Sequence, residues 1–193
     1  ASTDYKQDSP SGQERRMMAS ILEDEKRLLD ACTEHNTACQ LFKTTLLYGR
    51  SDRNINRVAE LIERLRWVPV VGAGLRSPVH VDDVAQLMAQ QLKVWLDGQS
   101  LAGGTWRLQG GNALPYPAFL QAIAEARGLP LKRVRLPLTA LRMALGLAHR
   151  LGRLTDIEAS MLERQRQHLT VDDQSARALL GWQPRPFSPG RER

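Results

Sequence analysis

A chain of 193 residues with 42% hydrophobic content can bury one sizeable core and is short for two independent domains. Its net charge of +6 permits contact with phosphates, nucleic acid or anionic lipid without choosing among them. No apolar run reaches the length of a membrane-spanning helix. Cys32 and Cys39 fit neither a disulfide framework nor a zinc ribbon, so no metal is expected and the thiols are read as reduced.

The first twenty residues lack the order of a signal peptide, which points to a soluble, cytoplasmic chain. It opens on Ala-Ser-Thr without Met, as a piece of a longer chain would. Charge is uneven: residues 1–40 hold eight acids and five bases, whereas residues 126–155 hold seven bases and no acid.

In chain order, the polar segment Asp4 to Gly12 reads as a loop. It leads to an amphipathic helix over Glu14–Thr33, with Met17, Ile21, Leu22, Leu28 and Leu29 at helical spacing. Cys39–Tyr48 is β-rich and closed by Gly49, a buried strand. Ile55, Val58, Leu61, Ile62 and Leu65 fall three or four apart and predict a helix. A strand over Trp67–Gly74 follows, ending in a Gly72-Ala73-Gly74 loop.

Val79–Val81 is a short extended piece, after which Asp82 or Asp83 is expected to cap a helix running to Asp97. Thr105–Leu108 alternates as a strand, Gly110-Gly111 turns, and Pro117–Arg127 reads as a helix ended by Gly128. Further helices are expected over Leu138–Leu151, Ile157–Arg166 and Asp172–Leu180. Strands alternating with helices argue for an α/β fold with a parallel sheet and a mostly helical C-terminal region. Three or four strands are few for a complete doubly wound domain, so the sheet is expected to continue in sequence outside this chain.

Three pieces stand out in order along the chain: Phe42-Lys43-Thr44-Thr45-Leu46-Leu47-Tyr48-Gly49, Arg76-Ser77-Pro78-Val79-His80-Val81-Asp82-Asp83-Val84-Ala85 and Trp106-Arg107-Leu108-Gln109-Gly110-Gly111. Together they resemble extended short-chain dehydrogenases/reductases of the NAD-dependent epimerase/dehydratase kind. The first is similar to that family's Leu-Arg-Pro-Thr-x-x-Tyr-Gly strand end, the second to its Arg-x-x-Val-His-Val-Asp-Asp-Val-Ala segment and the third to its final sheet strand. Leu180-Gly181-Trp182-Gln183-Pro184 matches a C-terminal Leu-Gly-Trp-x-Pro.

The resemblance implies a partial Rossmann-like sheet, with residues 1–50 closing the dinucleotide-binding part and residues 51–193 forming the substrate-binding region. It implies NAD or NADP as cofactor and a nucleotide-sugar or similar small molecule as substrate. The Gly-rich turn that would hold the dinucleotide has no match, and Gly72-Ala73-Gly74 is read as a plain loop.

The family's catalytic Tyr, with a Lys one helical turn later to lower its pKa, also has no match. Met17 and Ile21 stand at those places, and Tyr5, Tyr48 and Tyr116 are followed four residues on by Ser9, Asp52 and Leu120. Ser2 or Thr3 resembles the catalytic hydroxyl position, with a strand-end cap as the alternative. Arg76 is the expected diphosphate contact, with a plain exposed loop arginine as the alternative.

Lys43, Tyr48 and His80 join Arg76 on the expected substrate side; Lys43 replaces an Arg, which keeps the charge and loses the planar fork. His80 also reads as a structural, hydrogen-bonded histidine. The basic stretch from Lys132 to Arg153 reads as a core-packing helix with charged ends, or as a surface for an anionic membrane or a protein. The aromatic residues do not interleave with it, which argues against nucleic acid.

Two readings result: the substrate-side part of an NAD(P)-dependent nucleotide-sugar enzyme, or an atypical, non-catalytic scaffold of the same descent. In either, the isolated chain is expected to be insoluble, oligomeric or paired with a missing N-terminal half, because its sheet edge lacks a neighbour.

Overall fold

The computed structural model describes residues 11–50, 52–150 and 164–190. They form two compact units. The first takes its described residues from 11–49, 77–112 and 170–187, the second from the stretches between and from 188–190.

In the first unit, helix α1 spans Gly12–Glu34, and Ser11 caps it by accepting from the Glu14 amide at 3.4 Å. Ser11-Gly12-Gln13-Glu14 has the spacing of a capping box, so the true start, two residues before the expected one, was written in the sequence. The chain reverses at Asn36, whose φ of 48° lies in the left-handed region that Asn tolerates. Strand β1 (Gln40–Thr44) then pairs in parallel with β6 (Gly104–Leu108), Phe42 opposite Trp106.

The single strand expected over Cys39–Tyr48 is in fact two. At Thr45 the chain leaves β6: the Thr45 amide still donates to Leu108 O, but its hydroxyl donates to Ser77 O, and Leu46 O accepts from the Val79 amide. Strand β2 (Leu47–Tyr48) therefore pairs with β5 (Val79–His80) instead. Helices α3 (Val81–Leu96) and α6 (Gln174–Leu180) are the other elements of the unit among the described residues.

One apolar cluster joins Val79, Leu87, Trp106, Leu108, Ala176, Leu180 and Trp182, with Phe42 and Val84 packed against it. Trp106 and Leu108 are buried while Thr105 and Arg107 are exposed, the period-two alternation of a half-buried strand. Burying large side chains of this kind contributes roughly 1.5–3 kcal/mol each.

In the second unit, α2 (Arg53–Leu65) buries Ile55, Ala59 and Ile62 on one stripe, the predicted helical face. Strand β3 (Trp67–Val70) ends four residues before the expected Gly74, because the next segment wraps a side chain. The Val71 amide donates to Gln165 Oε1 at 3.0 Å and the Gly74 amide to Gln165 O at 2.8 Å. Strand β4 (Leu75–Arg76) pairs antiparallel with β7 (Leu114–Pro115), a pair the sequence did not announce. Helix α4 (Tyr116–Ala126) buries Phe119, Leu120, Ile123 and Ala124.

Strand β8 (Lys132–Arg135) runs parallel to β3, and α5 spans Leu138–Arg150. The helix expected from Leu138 is thus found, and the basic residues expected to flank it at Lys132, Arg133 and Arg135 lie in a strand that was not expected. Lys-Arg-Val-Arg offers one β-branched residue and no alternation to reveal it. Much of the helix expected over Ile157–Arg166 lies outside the described residues.

Candidate functional site

Every distinctive residue from Ser77 to Asp83 has a contact that shapes the strand-to-helix turn of the first unit. Ser77 Oγ lies 3.2 Å from Gly110 O and 3.1 Å from Asn112 O, tying two strand ends together. That approach explains the Gly-Gly pair. A Cβ on Gly110 would sit 1.9 Å from Pro78 O, and one on Gly111 would sit 2.5 Å from Pro184 O.

His80, not Asp82 or Asp83, caps α3: its Nδ1 accepts from the Asp82 amide at 3.1 Å, which fixes the ring's proton on Nε2. The two aspartates fill the first turn, where the helix dipole favours negative charge. Asp83 is buried and accepts from the Arg185 amide at 2.9 Å and from Arg185 Nε at 2.6 Å, anchoring the C-terminal segment.

Tyr48 and His80 are brought together, ring centroids 4.9 Å apart and edge to face, with Phe187 meeting Tyr48 at the same separation. Lys43 makes a different contact. Its Nζ lies 2.7 Å from Glu25 Oε2 of α1, and both side chains are largely buried. An ion pair shielded in this way holds helix to strand.

Arg76 belongs to the second unit, and the exposed-loop alternative is wrong for it: the residue is 5% exposed. Nη1 donates to Leu75 O at 2.9 Å and Gln167 O at 2.8 Å, and Nη2 donates to Arg164 O at 2.5 Å. The guanidinium stacks over the Tyr116 ring, 5.0 Å from its centroid. Burial pushes the Tyr116 phenol above its ordinary value, and the Arg76 charge pulls partly against that rise.

The Gly72-Ala73-Gly74 segment does not fit a dinucleotide phosphate. A Cβ on Gly74 would lie 2.1 Å from Gln167 O and one on Gly72 would lie 2.9 Å from Arg166 Cα, so the glycines admit the protein's own backbone. The amides of Val71, Gly74 and Leu75 already donate to Gln165 and His168. The plain-loop reading fits this geometry.

On α1, Met18 turns inward and is fully buried, while Met17 is 45% exposed and Ile21 partly so. Neither Met17 nor Ile21 can exchange a proton. Ser2 and Thr3 lie outside the described residues. Among the described residues no cluster of three or more His, Cys, Asp or Glu could hold a metal, and no helix is long and apolar enough to cross a membrane.

The architecture is a Rossmann-like α/β fold. Solved structures share it. RMD from Pseudomonas aeruginosa, complexed with NADPH, matches 88% of this chain and 50% of its own at 14% identity and a TM-score of 0.59. The UDP-glucose 4-epimerase of Brucella ovis, with NAD, matches 86% and 50% at 15% identity and 0.56. The UDP-glucose 4-epimerase of Thermotoga maritima, with UDP-glucose, matches 91% and 48% at 18% identity and 0.52. The chain thus spans about half the length of the structures it matches. No family profile and no curated protein matches it.

Proposed function

We propose that this chain is the substrate-side part of an NAD(P)-dependent, nucleotide-sugar epimerase- or dehydratase-like protein of the cytoplasm, without the Tyr-Lys catalytic pair. Residues 1–50 close the dinucleotide-binding sheet and residues 51–193 form the substrate region. The observation that carries the reading is the fold shared with two UDP-glucose 4-epimerases over half their length, coupled to the Arg76–Ala85 segment at a strand-to-helix turn.

In this reading Tyr48 and His80 face the sugar-nucleotide side as a fixed aromatic pair. Arg76 supports diphosphate binding chiefly by holding residues 164–167 in place. NAD or NADP is held by polypeptide beyond this chain, a reading supported by Gly72 and Gly74, whose open side admits the protein's own backbone rather than a phosphate. Substrate and dinucleotide together would supply the hydride chemistry of such enzymes; this chain's residues bind and orient.

The test is the polypeptide encoded by the natural gene, given NAD or NADPH and a panel of UDP-sugars. Turnover supports an enzyme that recruits its proton-transfer group from elsewhere. A thermal shift without turnover supports the scaffold reading, which Met17 and Ile21 favour. Neither turnover nor shift sinks both. Met17→Tyr with Ile21→Lys is expected to leave the 193-residue chain inactive, since the dinucleotide would still be missing.

A further inference from the structure

The charges of the chain are divided unevenly between its two units. The stretches of the first carry ten Lys or Arg and thirteen Asp or Glu, and those of the second carry seventeen and eight. The excess of base therefore belongs wholly to the second unit, and within it to residues 126–155, which hold seven bases and no acid. A field of one sign over so long a stretch attracts an anionic partner and repels a basic one.

Helix α5 lies inside that acid-free stretch. Among its described side chains, those exposed are Thr139, Ala140, Met143, Gly146, Leu147 and Arg150, which recur three, four and seven apart and so share one face. Met143 is 77% exposed and Leu147 61%. An apolar stripe at this spacing ordinarily turns toward a core, and here it turns outward. Bases stand at both ends of it. Arg150 is the last residue of the helix, and β8, with the exposed Lys132 and Arg133, ends at Arg135, two residues before the helix begins.

Nucleic acid would answer the charge but leave Met143 and Leu147 in water, and no aromatic interleaves with these bases to stack on a nucleobase. A second copy would cover the apolar stripe only by bringing two basic units together. An anionic bilayer meets both features at once, its headgroups pairing with the bases and its acyl boundary receiving the apolar side chains. The 13 residues of α5 extend about 20 Å, and no described helix is long and apolar enough to cross a membrane, so the fitting arrangement is parallel to the surface. We propose that α5 is an interfacial helix by which the second unit binds an anionic lipid surface, with Met143 and Leu147 entering the acyl boundary and Lys132, Arg133 and Arg150 drawn to the headgroups. This goes beyond the function proposed above and does not depend on it.

The experiment is co-sedimentation of the whole polypeptide encoded by the natural gene with vesicles of phosphatidylcholine, pure or mixed in equal parts with phosphatidylglycerol. Binding to the mixed vesicles is expected to be roughly tenfold tighter or more, and to fade as salt is raised. Lys132→Gln with Arg133→Gln should weaken it about 25-fold, roughly fivefold for each base near such a surface. Met143→Gln with Leu147→Gln should weaken it about tenfold. All four side chains are exposed, so the melting temperature should not move. A polarity-sensitive dye on Leu147→Cys, in a polypeptide otherwise freed of cysteine, should brighten on the mixed vesicles, whereas the same dye on Leu179→Cys, at an exposed residue of the first unit, should not. Equal binding to both vesicles, full binding by the Met143 and Leu147 variant, or brightening at 179 in place of 147 would each overturn the proposal. Self-association without lipid that the Met143 and Leu147 variant abolishes would overturn it in favour of a second copy. Retention of a single-stranded oligonucleotide with vesicles left unbound would overturn it in favour of nucleic acid.

Discussion

Two tryptophans in one cluster of the first unit differ in a single atom's fate. Trp182 Nε1 donates to Gln109 O at 3.0 Å, whereas the buried Trp106 Nε1 has no hydrogen-bond partner among the described residues. Replacing either by Phe removes comparable apolar area, but only at position 182 does it remove a hydrogen bond. An orphaned buried donor costs about 1–3 kcal/mol. Trp182→Phe is therefore expected to lose about 1 kcal/mol more than Trp106→Phe in urea denaturation, and equal losses would contradict the assignment.

Arg76 and Tyr116 allow a second test at this scale. The raised phenol pKa means that folding favours the neutral ring, a contribution to stability present below the ordinary value of about 10 and lost as pH rises through the folded value. Arg76→Met removes the charge that holds the shift back, so Tyr116 should titrate still higher in absorbance at alkaline pH. Arg76→Lys keeps a charge and loses the fork. It should cost stability, about 2 kcal/mol, while moving the phenol less.

At the scale of elements, the glycine at β6's end is the sharpest case. Gly110→Ala places a methyl inside the van der Waals envelope of Pro78 O, and backbone has no rotamer with which to yield. A loss of about 3 kcal/mol or more is expected from thermal unfolding, against well under 1 kcal/mol for Gly98→Asn, where the space is open and a left-handed Asn is tolerated.

The same elements show what was legible. Helices α1 to α4 followed from apolar spacing, and the strand β6 from alternation. The break between β1 and β2 was not legible, because Thr45 and Leu46 suit a strand and only their change of partner interrupts it. Strand β8 was hidden by its charges, and β4 and β7 by their two-residue length. For the site, the Ser77–Asp83 segment was visible as a pattern while its work was not. His80 as a cap, Asp83 as an anchor and Arg76 as a buried carbonyl clamp depend on partners up to about a hundred residues away.

For the whole molecule, the pieces of each unit are separated in sequence, and the cluster around Val79, Leu87 and Leu108 is covered by Ala176, Leu180 and Trp182 near the C-terminus. A chain ended at residue 169 would lose these together with the Asp83–Arg185 anchor. It is expected to lose the unfolding transition of the first unit and to bind hydrophobic dye, while the second unit keeps its own transition.

The interleaving also sets a schedule for synthesis. The strands of the first unit are synthesised well before Trp182, so that unit waits with its strands exposed while the second, nearly complete by Leu169, can close earlier. Nascent chains of this kind lean on holding chaperones, and slowing translation should lengthen that dependence rather than relieve it.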